Sequence, residues 1–80
     1  MEHKFTISLA SIEQVKAFVN SIYRFQSDID LVSGRYIVDA KSIMGIFSLN
    51  LSSPITLIVY GDEEIDAIND VIKPFLITEA

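Results

Sequence analysis

Eighty residues, half of them hydrophobic and only five of them glycine or proline, describe one folded domain over 1–80 with a modest core, and exclude a disordered tail. Six basic residues against eleven acidic ones leave a net charge of −5, so no overall attraction draws the chain to nucleic acid or to an anionic membrane surface. With no cysteine, a single histidine (His3), no apolar run near the roughly 20 residues of a membrane span and no signal-peptide core in MEHKFTISLAS, disulfides and cysteine metal sites are excluded and a cytoplasmic protein is expected.

Phe5, Ile7 and Leu9 alternate with Thr6 and Ser8, the period of a half-buried first strand. From Ile12 the apolar positions change step. Ile12, Val15, Phe18, Val19, Ile22 and Phe25 paint one stripe on a helix expected over about 12–25, with Ser11 as N-cap and Gln14 completing a capping box. Asp28–Val32 and Arg35–Asp39 are short β-prone runs, and Ser33-Gly34 between them predicts a hairpin. The segment KSIMGIFSL, residues 41–49, is too apolar for a solvated loop and too short for a full helix, so Ser42 is expected to cap about two turns. After Ser52-Ser53-Pro54, Ile55–Tyr60 is the most apolar run and predicts a central strand. Asp62 is expected to cap a last helix carrying Ile65, Ile68, Val71, Ile72 and Phe75, with Glu63 and Glu64 at its positive end and Pro74 ending it near Lys73. The order β-α-β-β-α-β-α predicts an α+β sandwich with helices on one face of a four-stranded antiparallel sheet.

With these residues in place, the chain resembles HPr, the histidine-containing phosphocarrier of the bacterial sugar phosphotransferase system, and the resemblance implies the HPr-like open-faced sandwich. In HPr proteins of low-GC Gram-positive bacteria the segment matching residues 41–49 reads much like KSIMGVMSLG. The match extends to Ile55-Thr56-Leu57-Ile58 and to the Gly61-Asp62-Glu63 turn. Phosphocarriers of the family place Gly-x-His-x-Arg-Pro between the first strand and the first helix, where this chain reads Leu9-Ala10-Ser11-Ile12-Glu13-Gln14. The position of the missing phosphocarrier histidine falls on or beside Ser11, and that of the arginine on or beside Glu13. A serine ester is a poor phosphoryl donor because an alkoxide leaves badly, and Glu13 repels the phosphate that an arginine would clamp. His3, ahead of the first strand and up to about 26 Å from Ser11, is expected to be a surface side chain.

In the regulatory branch of the family a dedicated ATP-dependent kinase phosphorylates the serine of KSIMG, and some members keep that serine without the phosphocarrier histidine. The resemblance therefore implies a histidine-free regulatory protein. Ser42 is its phosphorylation site, Lys41, Ile43, Met44 and Phe47 its contact surface, and its partners are an HPr kinase, a transcription regulator of carbon catabolite repression or components of the phosphotransferase system. Direct nucleic-acid or membrane contact, metals, cofactors and enzymatic activity are not expected. A phosphate on Ser42 would meet favourable N–H groups at a helix start beside an apolar patch. The same letters also fit a bare N-cap over a small core helix, and joint exposure of Met44 and Phe47 discriminates the two. A divergent phosphocarrier and a paralogue that has lost both phosphorylations stand as alternatives. The acidic groups Asp28 with Asp30, and Glu63, Glu64 and Asp66, read as solvated faces, and the hydroxyls of Tyr23, Tyr36 and Tyr60 are expected to point outward.

Overall fold

The computed structural model describes residues 2–77. Its elements are β1 (Glu2–Ile7), α1 (Ile12–Ile22), β2 (Ile29–Ser33), β3 (Tyr36–Asp39), α2 (Ile43–Phe47), β4 (Ile55–Tyr60) and α3 (Ile65–Ile72), followed by a 3-10 turn over Lys73–Phe75. The expected order is present. All strand pairs are antiparallel, in the order β1-β4-β2-β3, so Ile55–Tyr60 is central as its apolar run predicts.

Registers across the sheet explain both of its faces. Phe5, Leu57, Leu31 and Val38 form one continuous row, and Ile7 with Ile55 and Val59 with Ile29 form two more, all turned toward the helices. Val15, Phe18, Val19 and Ile22 of α1, Ile46 of α2, and Ile68 and Ile72 of α3 close over these rows and are buried. The opposite face carries no helix among the described residues. Its rows are Lys4, Ile58, Asp30 and Asp39, then Thr6, Thr56, Val32 and Ile37. The result is the open-faced α+β sandwich expected from the element order.

Several local expectations are corrected. Helix α1 stops at Ile22 instead of Phe25, and its first residue, Ile12, is exposed and not part of the buried stripe. Phe25 stays buried in a following turn, its N–H bonded to the Ile22 carbonyl at 3.1 Å. The strands of the hairpin begin one residue later than expected, around a two-residue loop in which Gly34 has φ +60° and Arg35 does not take positive φ, the pattern of a type II′ turn. Pro74 ends α3 near Lys73 as expected.

Asp62 does not cap α3. The helix begins at Ile65, Glu64 holds the N-cap position without a side-chain cap bond, and Asp62 instead accepts a hydrogen bond from His3 Nε2 at 2.6 Å. His3 is thus inside β1, opposite Val59, and not ahead of the strand. Glu64 Oε1 reaches back to accept from Gln26 N–H at 3.0 Å and from Ser27 N–H and Oγ at 2.7 Å each, tying the α1–β2 connection to the start of α3.

These bonds hold both carboxyls below their ordinary values, Asp62 through His3 and Glu64 through the Ser27 hydroxyl and N–H. A depressed folded pKa contributes stability that is fully present above the unfolded value near 4 and is lost as pH falls through the folded one. The urea midpoint is therefore expected to drop below about pH 4, and to drop less in Glu64→Gln, which has no carboxylate to protonate at 64. Identical midpoints from about pH 6 to pH 3 in wild type would remove the clamp from the account of stability.

Candidate functional site

The segment singled out in the sequence folds as a five-residue helix seated against β3. Ser42, at φ −96° and ψ 103°, is its N-cap: Ser42 Oγ accepts from Gly45 N–H at 3.2 Å and the Ser42 carbonyl accepts from Ile46 N–H at 3.0 Å. A tight turn delivers the serine there, with Ser42 N–H bonded to the Asp39 carbonyl at 3.0 Å and Lys41 N–H to Asp39 Oδ1 at 2.9 Å. At the other end Ser48 N–H bonds the Gly45 carbonyl at 3.1 Å, and Ser48 Oγ bonds it at 2.5 Å. Helix and caps together therefore amount to less than two turns.

Gly45 sets how closely this helix lies on the sheet. A Cβ built there would stand 3.2 Å from Ser42 Oγ and 3.3 Å from Val38 Cβ. The glycine lets the backbone settle against β3 while Ile46 enters the core.

The outward face holds most of the expected contact surface. Met44 is 77% exposed and Phe47 39%, while Ser42 is exposed beside them. Two large apolar side chains of one short helix are thus exposed together. Ile43 is only half-buried against the core and offers an edge to the patch. Lys41 does not turn toward Ser42: its Nζ donates to the Phe25 carbonyl just after α1, so its charge neutralises the end of that turn.

The start of α1 presents a second exposed stretch. Ser11 Oγ accepts from Gln14 N–H at 3.1 Å, whereas Gln14 Oε1 accepts from Ala10 N–H at 2.7 Å. The capping box is thus displaced by one residue from the expected Ser11 N–H. Ser11, Ile12 and Glu13 are all exposed, with Ile12 at 60%. Ile12 belongs to the surface that sequence reading missed; only its place at the first helical position, ahead of the buried Val15, distinguishes it from the stripe.

His3 cannot serve Ser11 in this arrangement. The extended chain from His3 to Ile7 spans about 13 Å before the turn toward Ser11 begins, and the imidazole is engaged with Asp62 at the other end of the strand. Tyr23 and Tyr36 are exposed as expected, while the Tyr60 hydroxyl donates to Asp30 Oδ2 at 3.1 Å and that bond raises its pKa. Among the described residues no group of three or more His, Cys, Asp or Glu is placed to hold a metal ion. No helix among them is long and apolar enough to cross a membrane.

Comparison with known proteins places this geometry. The family model described as the PTS HPr component phosphorylation site matches residues 12–75. A crystal structure of HPr-C-His from Thermoanaerobacter tengcongensis is 30% identical with a TM-score of 0.76, covering 94% of this chain and 90% of that one. The phosphocarrier protein HPr of Bacillus anthracis str. Ames is 29% identical with a TM-score of 0.67, covering 89% and 90%. A Mycoplasma histidine-containing phosphocarrier protein, at 19% identity and a TM-score of 0.68 over 99% and 100%, shares the fold. No curated protein matches the chain.

Proposed function

The chain belongs to the HPr family of the phosphotransferase system, and from that premise we propose that it is a regulatory binding protein, not an enzyme, whose switch is phosphorylation of Ser42. The observation that carries this reading is the exposed Ser42 beside exposed Met44 and Phe47, on a chain whose stretch between β1 and α1, Ser8 to Ser11, holds no histidine. A phosphate on Ser42 Oγ would replace the neutral acceptor of Gly45 N–H by a doubly charged one at the start of α2, where N–H groups favour it. The helix keeps its cap and the patch gains charge. Lys41 then acts as a spacer and local structural tie, because its ammonium is held by the Phe25 carbonyl.

A protein partner that reads this surface, a transcription regulator of carbon catabolite control or a phosphotransferase component, would bury Met44 and Phe47 and respond to the charge beside them. Such work is cytoplasmic and needs neither cofactor nor metal. The second reading, a divergent phosphocarrier, is favoured by the phosphocarriers among the solved structures that the chain resembles. It requires an acceptor that yields phosphate readily, which makes His3 the group to examine and Ser11, whose ester is a poor donor, its control.

Intact-protein mass after incubation with ATP and a Gram-positive HPr kinase tests the first reading, with Ser42→Ala as control. Wild type is expected to gain one phosphate and the variant none. Loss of the cap in the variant costs only about 0.5–2 kcal/mol, so it can be checked for folding in the same samples. Absence of any gain by a folded wild type would overturn the switch. Labelling from phosphoenolpyruvate through the phosphotransferase enzymes would instead support relay, and His3→Gln and Ser11→Ala would locate it.

A further inference from the structure

We propose that a second copy of this chain pairs with the free edge of the sheet, β3 against β3, to make one eight-stranded sheet across a two-fold axis. The two edges of the sheet are treated differently. Beyond β1 the chain itself adds cover: Ser8 N–H bonds the Phe75 carbonyl at 2.9 Å, Ile77 N–H bonds the Thr6 carbonyl at 3.0 Å, and Ile7 pairs with Leu76. Nothing comparable covers β3 among the described residues, and its sequence, Tyr36-Ile37-Val38-Asp39, contains no proline and no lysine to discourage pairing. Tyr36 is 68% and Ile37 65% exposed.

The register of the hairpin fixes which groups are available. Ala40 N–H bonds the Ile29 carbonyl at 2.9 Å, and Ser33 faces Tyr36 across the two-residue loop. Hydrogen-bonded pairs alternate along an antiparallel ladder, so Tyr36, Val38 and Ala40 direct their backbone groups to β2. Ile37 and Asp39 direct theirs outward, with Arg35 in the turn just before them. The Asp39 carbonyl is occupied by Ser42 N–H, which leaves both groups of Ile37 and the N–H of Asp39 as the central unsatisfied set.

Only pairings that match odd residues to odd residues satisfy these groups, and charge selects among them. When Ile37 faces Ile37 of the second copy, Arg35 of each copy faces Asp39 of the other, twice by symmetry. Side chains 37 and 39 share the helix-free face and Arg35 stands in the turn just before them, so two opposite-charge pairs flank an isoleucine contact that extends the row Thr56, Val32, Ile37 across the axis. On the helix side Tyr36 lies opposite Val38. Shifting the register by two residues sets Arg35 against Lys41 and Asp39 against Ile37, which removes the complementarity. Arg35 makes no side-chain hydrogen bond or salt bridge among the described residues, and Asp39 uses one carboxylate oxygen, on Lys41 N–H. Both ends of the intermolecular pair are on hand.

Two short strands bury less than the roughly 1,200 Å² of a stable interface, so the expected association is weak, half-complete between about 0.1 and 1 mM. Sedimentation equilibrium from about 20 μM to 2 mM should show a mass rising from 9.0 kDa toward twice that value. Arg35→Glu and Asp39→Lys should each stay monomeric about tenfold higher in concentration than wild type, since each sets like charges across the axis. Their equimolar mixture should associate again, because every 35–39 pair in the mixed dimer is then of opposite charge. Ile37→Asp, chosen on the exposed face so that folding is preserved, should also remain monomeric, whereas Met44→Ser should associate as wild type does. A wild type that stays monomeric over the whole range, single variants that associate like wild type, or a folded mixture that fails to associate would each overturn the pairing.

Discussion

Phe18→Ala is expected to destabilise the protein by about 3–5 kcal/mol and to lower its melting temperature by roughly 12–40 °C. Phe18 is fully buried in the middle of α1, and its ring meets that of Phe75 edge-on, with centroids 5.5 Å apart and planes at 89°. Phe75 ends the 3-10 turn that contains Pro74, so one aromatic pair fastens the first helix to the turn that closes α3. Truncation removes the transfer free energy of the ring, the edge-to-face contact and, in part, the support of Phe75. For a domain of 80 residues total stability is on the order of 4–12 kcal/mol, so a large share is lost. Urea denaturation followed by far-ultraviolet circular dichroism checks this. A loss below about 1.5 kcal/mol would mean that neighbouring side chains collapse into the space and that the pair is not a principal fastening.

Gly45→Val is expected to destabilise by about 1–3 kcal/mol, while Gly45→Ala is expected to lie within about 1 kcal/mol of wild type. The difference separates two opposing effects. Removing a glycine from a helix interior is favourable by about 1 kcal/mol, but any Cβ there crowds Ser42 Oγ and Val38 Cβ. A single methyl group needs these neighbours to yield by tenths of an ångström, and the serine hydroxyl can rotate. A branched side chain adds atoms on the side of β3, where Val38 is held by its register with Leu31. The valine variant should then lift α2 from the sheet and loosen the Ser42 cap, so its melting temperature and its phosphorylation by the kinase are expected to fall together, while those of Gly45→Ala stay near wild type. Equal stability of alanine and valine would show that α2 has room to rise without cost.

Elements whose signal lies within a few residues were legible from the sequence. The alternation of Phe5 and Ile7, the uninterrupted run Ile55–Tyr60 and the cap at Ser42 depend on neighbours that any reader of the chain can see. What escaped depends on partners far away. Asp62 was a natural cap by position, yet His3, 59 residues distant, claims its carboxylate, and α3 starts with Glu64 turned back to Ser27. Helix α1 loses its last expected turn because Phe25 reaches the core from a turn whose carbonyl is taken by Lys41. That same contact sets the direction of a side chain at the candidate site: Lys41 adjoins Ser42 in sequence, and its ammonium donates to the Phe25 carbonyl. Exposure of Met44 and Phe47 was posed as a question, since helical spacing alone cannot tell which face of so short a helix meets water.

The pairing of β1 with β4 brings together residues made far apart in time. Glu2 faces Tyr60 and Ile7 faces Ile55, and the cover on the far side of β1 comes later still, from Phe75 and Ile77. At about 5–20 residues per second the ribosome needs roughly 3–10 s to pass from the first of these strands to its partner, far longer than a hairpin such as β2–β3 takes to close. During that interval the hairpin can form, but Phe5 and Ile7 have no sheet to join. Nascent β1 is therefore a waiting segment, short and interrupted by Lys4 and Thr6, features that limit its adhesion to other chains before its own partner arrives.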